Sequence, residues 1–174
     1  MTVSRLRKMK ASDLEVVLQW RNHPDVRRYM YTSHEISFEE HSAWFKRTND
    51  DPNVHLMIYE ANGRGLGFVN IVCGRCGSIA DWGFYLSPEA GKGTGQSLGN
   101  AALAHAFEDL QLHKLCGQAL RFNERSIAFH HRLGFTQEGV LREQHFDGTV
   151  YHDVLCFGLL RHEWQQKSKE FADE

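Results

Sequence analysis

Apolar and polar residues alternate in "VSRLRKM" as they do along a half-buried strand, so the chain is expected to open with β structure. A short helix follows, starting near a capping Ser12, with Leu14, Val17 and Leu18 on its apolar face and Pro24 as its stop. "SFEEHSAWFKRTN" predicts a second helix, opened by Ser37 and Glu40 in a capping box. Three strand-like runs come next, "VHLMIYEANG", "GLGFVNIVCG" and "SIADWGFYLSP". The turn-forming Asn62-Gly63 and the stretch Gly74 to Gly77 separate them, which predicts an antiparallel meander. After Pro88 the period changes. Leu98, Ala102 and Ala106 recur at helical spacing, and Leu103, Phe107 and Leu110 widen that face. "HKLCGQALRFN" predicts a strand, "ERSIAFHHRLG" a helix closed by Gly134, and two final strands flank Asp147-Gly148. A charged surface helix is expected from Arg161 onward. The order is β-α-α-β-β-β-α-β-α-β-β, without repeat or linker, and it predicts one α/β domain over residues 1–174.

One stretch resists this pattern. "LQWRNHPDVRRYMY" is too polar for core and too aromatic for plain surface. A helix that ends at Pro24 accounts for Trp20 as a core residue but leaves Arg21, Asn22 and His23 without a reason.

Composition narrows the function classes. With 174 residues, 41% hydrophobic and 24% charged, the chain can bury a sizeable core. Its net charge is −2 and its 20 Lys and Arg are scattered, which argues against a nucleic-acid partner. "MTVSRLRKMK" lacks the apolar run of a signal peptide, and no apolar stretch approaches the roughly 20 residues that span a bilayer. A cytoplasmic protein without a membrane partner is expected. Cys73 and Cys76 form a C-x-x-C in "CGRC", but Cys116 and Cys156 stand alone in strand-like runs, so a turn with reduced thiols is expected instead of a metal site.

"AGKGTGQ" sets three alternate glycines at the mouth of a helix that follows a strand. Backbone without Cβ lets an anion approach, and a helix N-terminus offers unpaired N–H groups and partial positive charge, so a diphosphate fits there. The spacing is not Walker A, because no G-K-[ST] follows a G-x-x-x-x, and Gln96 stands where G-x-G-x-x-G needs its last glycine. A glycine-rich turn with no ligand is the alternative.

The element order, with "GKGTGQSLG" and "NERSIAFHHRLGF", resembles the GNAT superfamily of acetyl-CoA-dependent N-acetyltransferases over nearly the whole chain. The resemblance implies a central, mostly antiparallel mixed sheet, splayed between the fourth and fifth strands, with helices on both faces. It further implies a direct acetyl transfer with acetyl-CoA as cosubstrate and no metal. Lys92, Gly93, Thr94, Gly95 and Gln96 are then expected to bind the coenzyme pyrophosphate, the backbone at Tyr85 and Leu86 its pantetheine arm, and Asn123 and Phe129 further parts of it. Two departures stand out: Ala90 occupies a loop position where the family often has Arg or Gln, and His130 replaces the tyrosine that donates a proton to the leaving thiolate. By that position His130 is expected to act as an imidazolium general acid, with backbone N–H near Tyr85 polarising the thioester carbonyl. Packing or solvating the helix end is the other reading of His130 and His131.

"WRNHPDVRRYM" followed by "EISFEEHSAWF" resembles more narrowly the N-acetyltransferases of bacterial pseudaminic acid biosynthesis. Those enzymes acetylate the 4-amino group of UDP-4-amino-4,6-dideoxy-N-acetyl-β-L-altrosamine, whose downstream products serve flagellin or surface polysaccharide glycosylation. The resemblance assigns Arg21, His41 and Tyr85 to this UDP-amino sugar, with the first two as cations for its diphosphate. Val72, Cys73 and Gln118 stand where some members carry a polar pair and a glutamate, so water is expected to deprotonate the sugar amine. An acetyltransferase of ribosomal or other protein N-termini is the runner-up, a non-catalytic coenzyme-binding module the third reading, and a homodimer is left open.

Overall fold

The computed structural model describes residues 4–170. Seven strands, β1 (Ser4–Lys8), β2 (Val54–Ala61), β3 (Arg64–Cys73), β4 (Ile79–Leu86), β5 (Lys114–Leu120), β6 (Thr136–Phe146) and β7 (Tyr151–Leu160), form one sheet in the order β1-β2-β3-β4-β5-β7-β6. Among the described residues six α-helices are interspersed, α1 (Leu14–Asn22), α2 (Pro24–Arg27), α3 (Phe38–Thr48), α4 (Thr94–Ala104), α5 (Glu124–Leu133) and α6 (Arg161–Glu170), with a π-helical segment, His105–Asp109, following α4. The expected mixed α/β fold is the one observed. Antiparallel pairing joins β1 to β2, β2 to β3, β5 to β7 and β6 to β7, while β4 and β5 run parallel. Their register covers only Ile79↔Lys114 to Asp81↔Cys116, although β4 continues to Leu86 and β5 to Leu120. That is the expected splay. Among the described residues no helix is long and apolar enough to cross a membrane.

The chain divides into two compact units. The first takes the described residues up to Val72 together with Trp82–His105. Its core gathers Met9, Leu14, Val17, Trp20, Phe45, Leu56, Ile58 and Phe68, with Trp44 and Tyr85 packed against it. Trp20 is thus core, as the periodicity predicts. The second unit takes Cys73–Asp81 and the described residues from Ala106 onward, and buries Phe107, Leu115, Phe129, Leu133, Phe157 and Leu159.

Three local expectations change in the structure. Ser12 does not cap α1; it lies in a 3-10 turn, Ala11–Asp13, and the Asp13 carboxylate instead accepts the Lys10 N–H at 2.7 Å and both Arg7 Nη groups at 2.7 and 2.9 Å. The adjacent guanidinium holds Asp13 below the usual carboxylate range. Pro24 stops α1 but also starts α2, because the residue before a proline is pushed to extended backbone (His23 φ −59°, ψ 134°) while proline itself suits a first helical position. Ser37 caps α3 by accepting the Glu40 N–H at 3.1 Å, but the Glu40 carboxylate lies 3.2 Å from His34 Nε2.

Gly67 shows why one glycine of "GLGF" is required. A Cβ there would lie 2.4 Å from Leu98 Cδ1 and 3.1 Å from the Tyr85 carbonyl oxygen, so β3, β4 and α4 approach more closely than any side chain allows. Gly67→Ala is expected to cost about 1–3 kcal/mol by overpacking, read as a lower urea midpoint with unchanged slope. An unchanged midpoint would show that Leu98 repacks freely.

Candidate functional site

The stretch the periodicity left unexplained is built to hold a loop and a charge. Asn22, in the last position of α1, pairs with Ile36 through both amide groups: Nδ2 donates to the Ile36 carbonyl and Oδ1 accepts the Ile36 N–H, each at 2.8 Å. The segment between them is closed like the end of a strand pair. His23 caps α2, its Nδ1 accepting the Asp25 N–H at 3.2 Å. Arg21 extends Nη2 to the Thr32 carbonyl at 3.1 Å, while Nη1 is buried with no hydrogen-bond partner. Among the described residues no carboxylate pairs with this guanidinium. Burial lowers its pKa, yet an arginine remains charged at any physiological pH.

Next to this charge lies an aromatic wall. His41 on α3 is 5% exposed and stacks on Trp44, with ring centroids 5.1 Å apart and planes at 21°. Trp44 meets Phe68 edge-on at 6.0 Å, and Phe68 lies 5.0 Å from Tyr85. The structure therefore gathers Arg21, His41 and Tyr85, the three expected acceptor residues, in the first unit. One expectation is corrected: burial and the neighbouring Arg21 push the His41 pKa down, opposed by a hydrogen bond to the Leu14 backbone, so the imidazole is neutral near pH 7 and Arg21 alone supplies positive charge. Burial likewise raises the Tyr85 phenol above its ordinary range, so it stays protonated as a donor. The sequence leaves Asn22 without a reason and gives no signal that singles out Trp44 or Phe68.

The glycine loop lies in the same unit. Gly93 is the N-cap of α4 at φ 88°, a left-handed conformation that requires glycine, and Thr94 N–H turns back to the Gly91 carbonyl at 3.2 Å. A Cβ on Gly91 or Gly93 would meet no atom within 4 Å, so the backbone borders open space where a phosphate fits. Ser97 N–H returns to the Gly93 carbonyl at 3.2 Å, and the amides of the first α4 turn have no intrahelical acceptor. These features suit a coenzyme pyrophosphate.

Asn123, Phe129 and His130 lie in the second unit. Asn123 caps α5, its Oδ1 accepting the Ser126 N–H at 3.1 Å, and Phe129 is buried. His130 is 1% exposed, stacked on Phe157 at 4.7 Å and 12°, and bonded through Nδ1 to the Ser126 carbonyl at 2.8 Å. A carbonyl accepts only, so Nδ1 carries the proton and Nε2 of the neutral ring has none to give. Burial pushes the pKa down to about 4. The expected imidazolium is therefore not the form present near pH 7, because the apolar surroundings of the ring disfavour its charge. Cys73 ends β3, Cys76 sits exposed in the following turn, both as free thiols, and among the described residues no group of three or more His, Cys, Asp or Glu could hold a metal ion.

Residues 4–136 match the family described as the Acetyltransferase (GNAT) domain. This chain belongs to the GNAT acetyltransferase family. Acetyltransferase PseH of Campylobacter jejuni subsp. jejuni is 30% identical over 131 residues, spanning 74% of this chain and 80% of that protein. Spermidine N(1)-acetyltransferase of Escherichia coli K12 is 27% identical over 167 residues, spanning 95% and 90%. The crystal structure of spermidine N-acetyltransferase from Vibrio cholerae in complex with CoA and spermine superposes with a TM-score of 0.85 at 25% identity, covering 93% of this chain and 98% of that one. The GNAT chain described here is accordingly an acetyl-CoA-dependent N-acetyltransferase.

Proposed function

We propose that this GNAT enzyme acetylates an amine carried on an anionic molecule, namely the 4-amino group of UDP-4-amino-4,6-dideoxy-N-acetyl-β-L-altrosamine in pseudaminic acid biosynthesis. The observation behind this reading is Arg21: a half-buried guanidinium whose Nη1 is buried without a partner, with no carboxylate on it among the described residues. A partly buried cation with an unpartnered N–H group carries a desolvation cost, and a ligand phosphate offsets it with charge-assisted hydrogen bonds. A polyamine would bring more positive charge to the same place. The similarity to PseH supports the sugar, the similarity to the spermidine enzymes supports the polyamine, and the charge of Arg21 favours the first.

On this reading, the amides of Lys92 to Gln96 hold the pyrophosphate and the backbone at Tyr85 and Leu86 orients the pantetheine arm. The bound coenzyme supplies an acetyl thioester. Arg21 anchors the acceptor diphosphate, and the wall of Trp44, Phe68 and Tyr85 excludes water from the reacting amine.

Incubation with acetyl-CoA and, in turn, the UDP-amino sugar, spermidine and a peptide with a free N-terminus, read by mass spectrometry, tests the reading. An added acetyl group on the UDP-sugar with the highest kcat/KM is expected; preference for spermidine or the peptide would overturn it. Gly93→Val is expected to weaken coenzyme binding by roughly tenfold in calorimetry, because a branched residue at φ 88° costs about 1–2 kcal/mol of backbone strain and turns the amides away. Unchanged affinity would remove the glycine loop from the coenzyme site.

A further inference from the structure

The function proposed above gives no task to the C-x-x-C of "CGRC", and its two cysteines stand in unequal surroundings. Cys73 ends β3 and is half-buried, whereas Cys76, in the turn before β4, is exposed. Cys116 on β5 and Cys156 on β7 are half-buried like Cys73. The Ser78 hydroxyl donates to Cys76 Sγ at 3.8 Å. All the residues of this turn belong to the second unit.

The base of the turn is pinned, and its tip is exposed. Gly74 N–H donates to the Ile79 carbonyl at 2.8 Å, and the Ser78 carbonyl accepts the N–H groups of His113 and Lys114 at 2.7 and 3.2 Å. Between these anchors Gly77, at φ 70°, donates its N–H to the Gly74 carbonyl at 2.9 Å. A chain reversal closed in this way folds Cys76 back toward the end of β3, where Cys73 lies.

We infer that Cys73 and Cys76 form a thiol–disulfide exchange site for a low-molecular-weight disulfide such as glutathione disulfide, with Cys76 as the attacking thiolate and Cys73 as the resolving thiol. The inference is independent of the acceptor. Thiolate is the reactive form of cysteine, and donors around an exposed sulfur favour it. The Ser78 backbone, then its hydroxyl and the Ile79 backbone, lower the Cys76 pKa, while burial raises those of Cys73 and Cys116. The exposed sulfur therefore attacks first, and the half-buried one reacts once a disulfide is formed beside it.

The step balances. Cys76 Sγ attacks one sulfur of the small disulfide, whose S–S bond breaks as the mixed disulfide forms and one small thiolate leaves. Cys73 then gives up its proton and attacks Cys76 Sγ; the mixed S–S bond breaks, and the second small thiolate leaves. One of the two departing thiolates takes the Cys73 proton. Two electrons pass from the two cysteines to the small disulfide, which ends as two reduced molecules.

The reduced enzyme treated with glutathione disulfide at pH 7, followed by intact-mass and peptide mass spectrometry, tests the inference. The wild type is expected to end two hydrogens lighter, with Cys73 and Cys76 in one cross-linked peptide that dithiothreitol releases. Cys73→Ser should stop with one glutathione on Cys76, and Cys76→Ser should take up neither modification in this turn. Without oxidant, iodoacetamide at pH 7 should alkylate Cys76 about tenfold or more faster than Cys116. Ser78→Ala should slow that alkylation at pH 7 but not at pH 10, where the Cys76 thiol is ionised with or without the hydroxyl. A wild type that stops at the mixed disulfide would remove Cys73 as the resolving thiol and overturn the inference. Alkylation of Cys76 no faster than that of Cys116 would overturn it as well.

Discussion

Arg21→Ala is expected to raise the KM for the UDP-amino sugar tenfold to a hundredfold while the KM for acetyl-CoA stays within about twofold. The loss corresponds to about 1.5–3 kcal/mol, the usual size of a charge-assisted hydrogen bond. The coenzyme should be spared because the amides proposed to hold it lie in the glycine loop and the start of α4, whereas Arg21 sits at the end of α1. Arg21→Lys should recover only part of the loss, since an ammonium keeps the charge but not the planar fork. Raising the salt concentration should weaken the wild type toward the variant only in part, because a half-buried charge is screened less than an exposed one. Arg21 also ties down Thr32, so loosening of the segment has to be separated from loss of charge. Asn22→Ala does this: it frees Ile36 but leaves the guanidinium. If Asn22→Ala raised the KM as much as Arg21→Ala, Arg21 would be a loop clamp. An unchanged KM in Arg21→Ala would remove the phosphate role altogether.

That separation shows what could be read from sequence and what could not. Strand and helix order follow from periodicity because each element buries one face, and the runs around Asn62-Gly63 and Gly134 end where left-handed glycine or asparagine is needed: Asn62 at φ 52°, Gly63 at φ 76° and Gly134 at φ 98°. The glycine loop was legible for the same reason, since Gly93 at φ 88° serves the backbone itself. Side-chain partners at long range were not legible. Nothing in "RNHP" tells that Asn22 would pair with Ile36, 14 positions on, or that Asp13 and not Ser12 would organise the start of α1 by collecting Arg7 from β1. Protonation states were hidden for a further reason. A histidine is written the same whether it points to water or into apolar packing, and burial, not residue type, made both His41 and His130 neutral.

His130 carries the largest expected effect on stability. Its pKa falls from 6.5 to about 4 on folding, so between those values the unfolded chain binds a proton that the folded chain refuses. The stability from keeping this ring neutral is complete above pH 6.5, declines as the pH drops through that window, and is gone below about pH 4. The loss is about 3 kcal/mol from this one ring. His41 and His55, whose pKa values are also lowered by burial, add to it in the same direction. Carboxylates act in a separate, lower window: Asp147, held at about 2 by the Val150 and Thr149 N–H groups and His152, becomes protonated only after the histidines have titrated. His130→Phe keeps an aromatic ring against Phe157 and removes the titration. Urea unfolding at pH 7 and pH 4 should therefore show the wild type losing about 3 kcal/mol more than the variant. The same variant separates packing from chemistry. If the ring is only packed, His130→Phe should hold kcat at pH 7 within about threefold of wild type, with no limb lost near neutral pH. A variant folded at pH 7 but more than about tenfold slower would return a proton-transfer role to His130, and equal pH sensitivity of the two proteins would place the acid-labile group elsewhere.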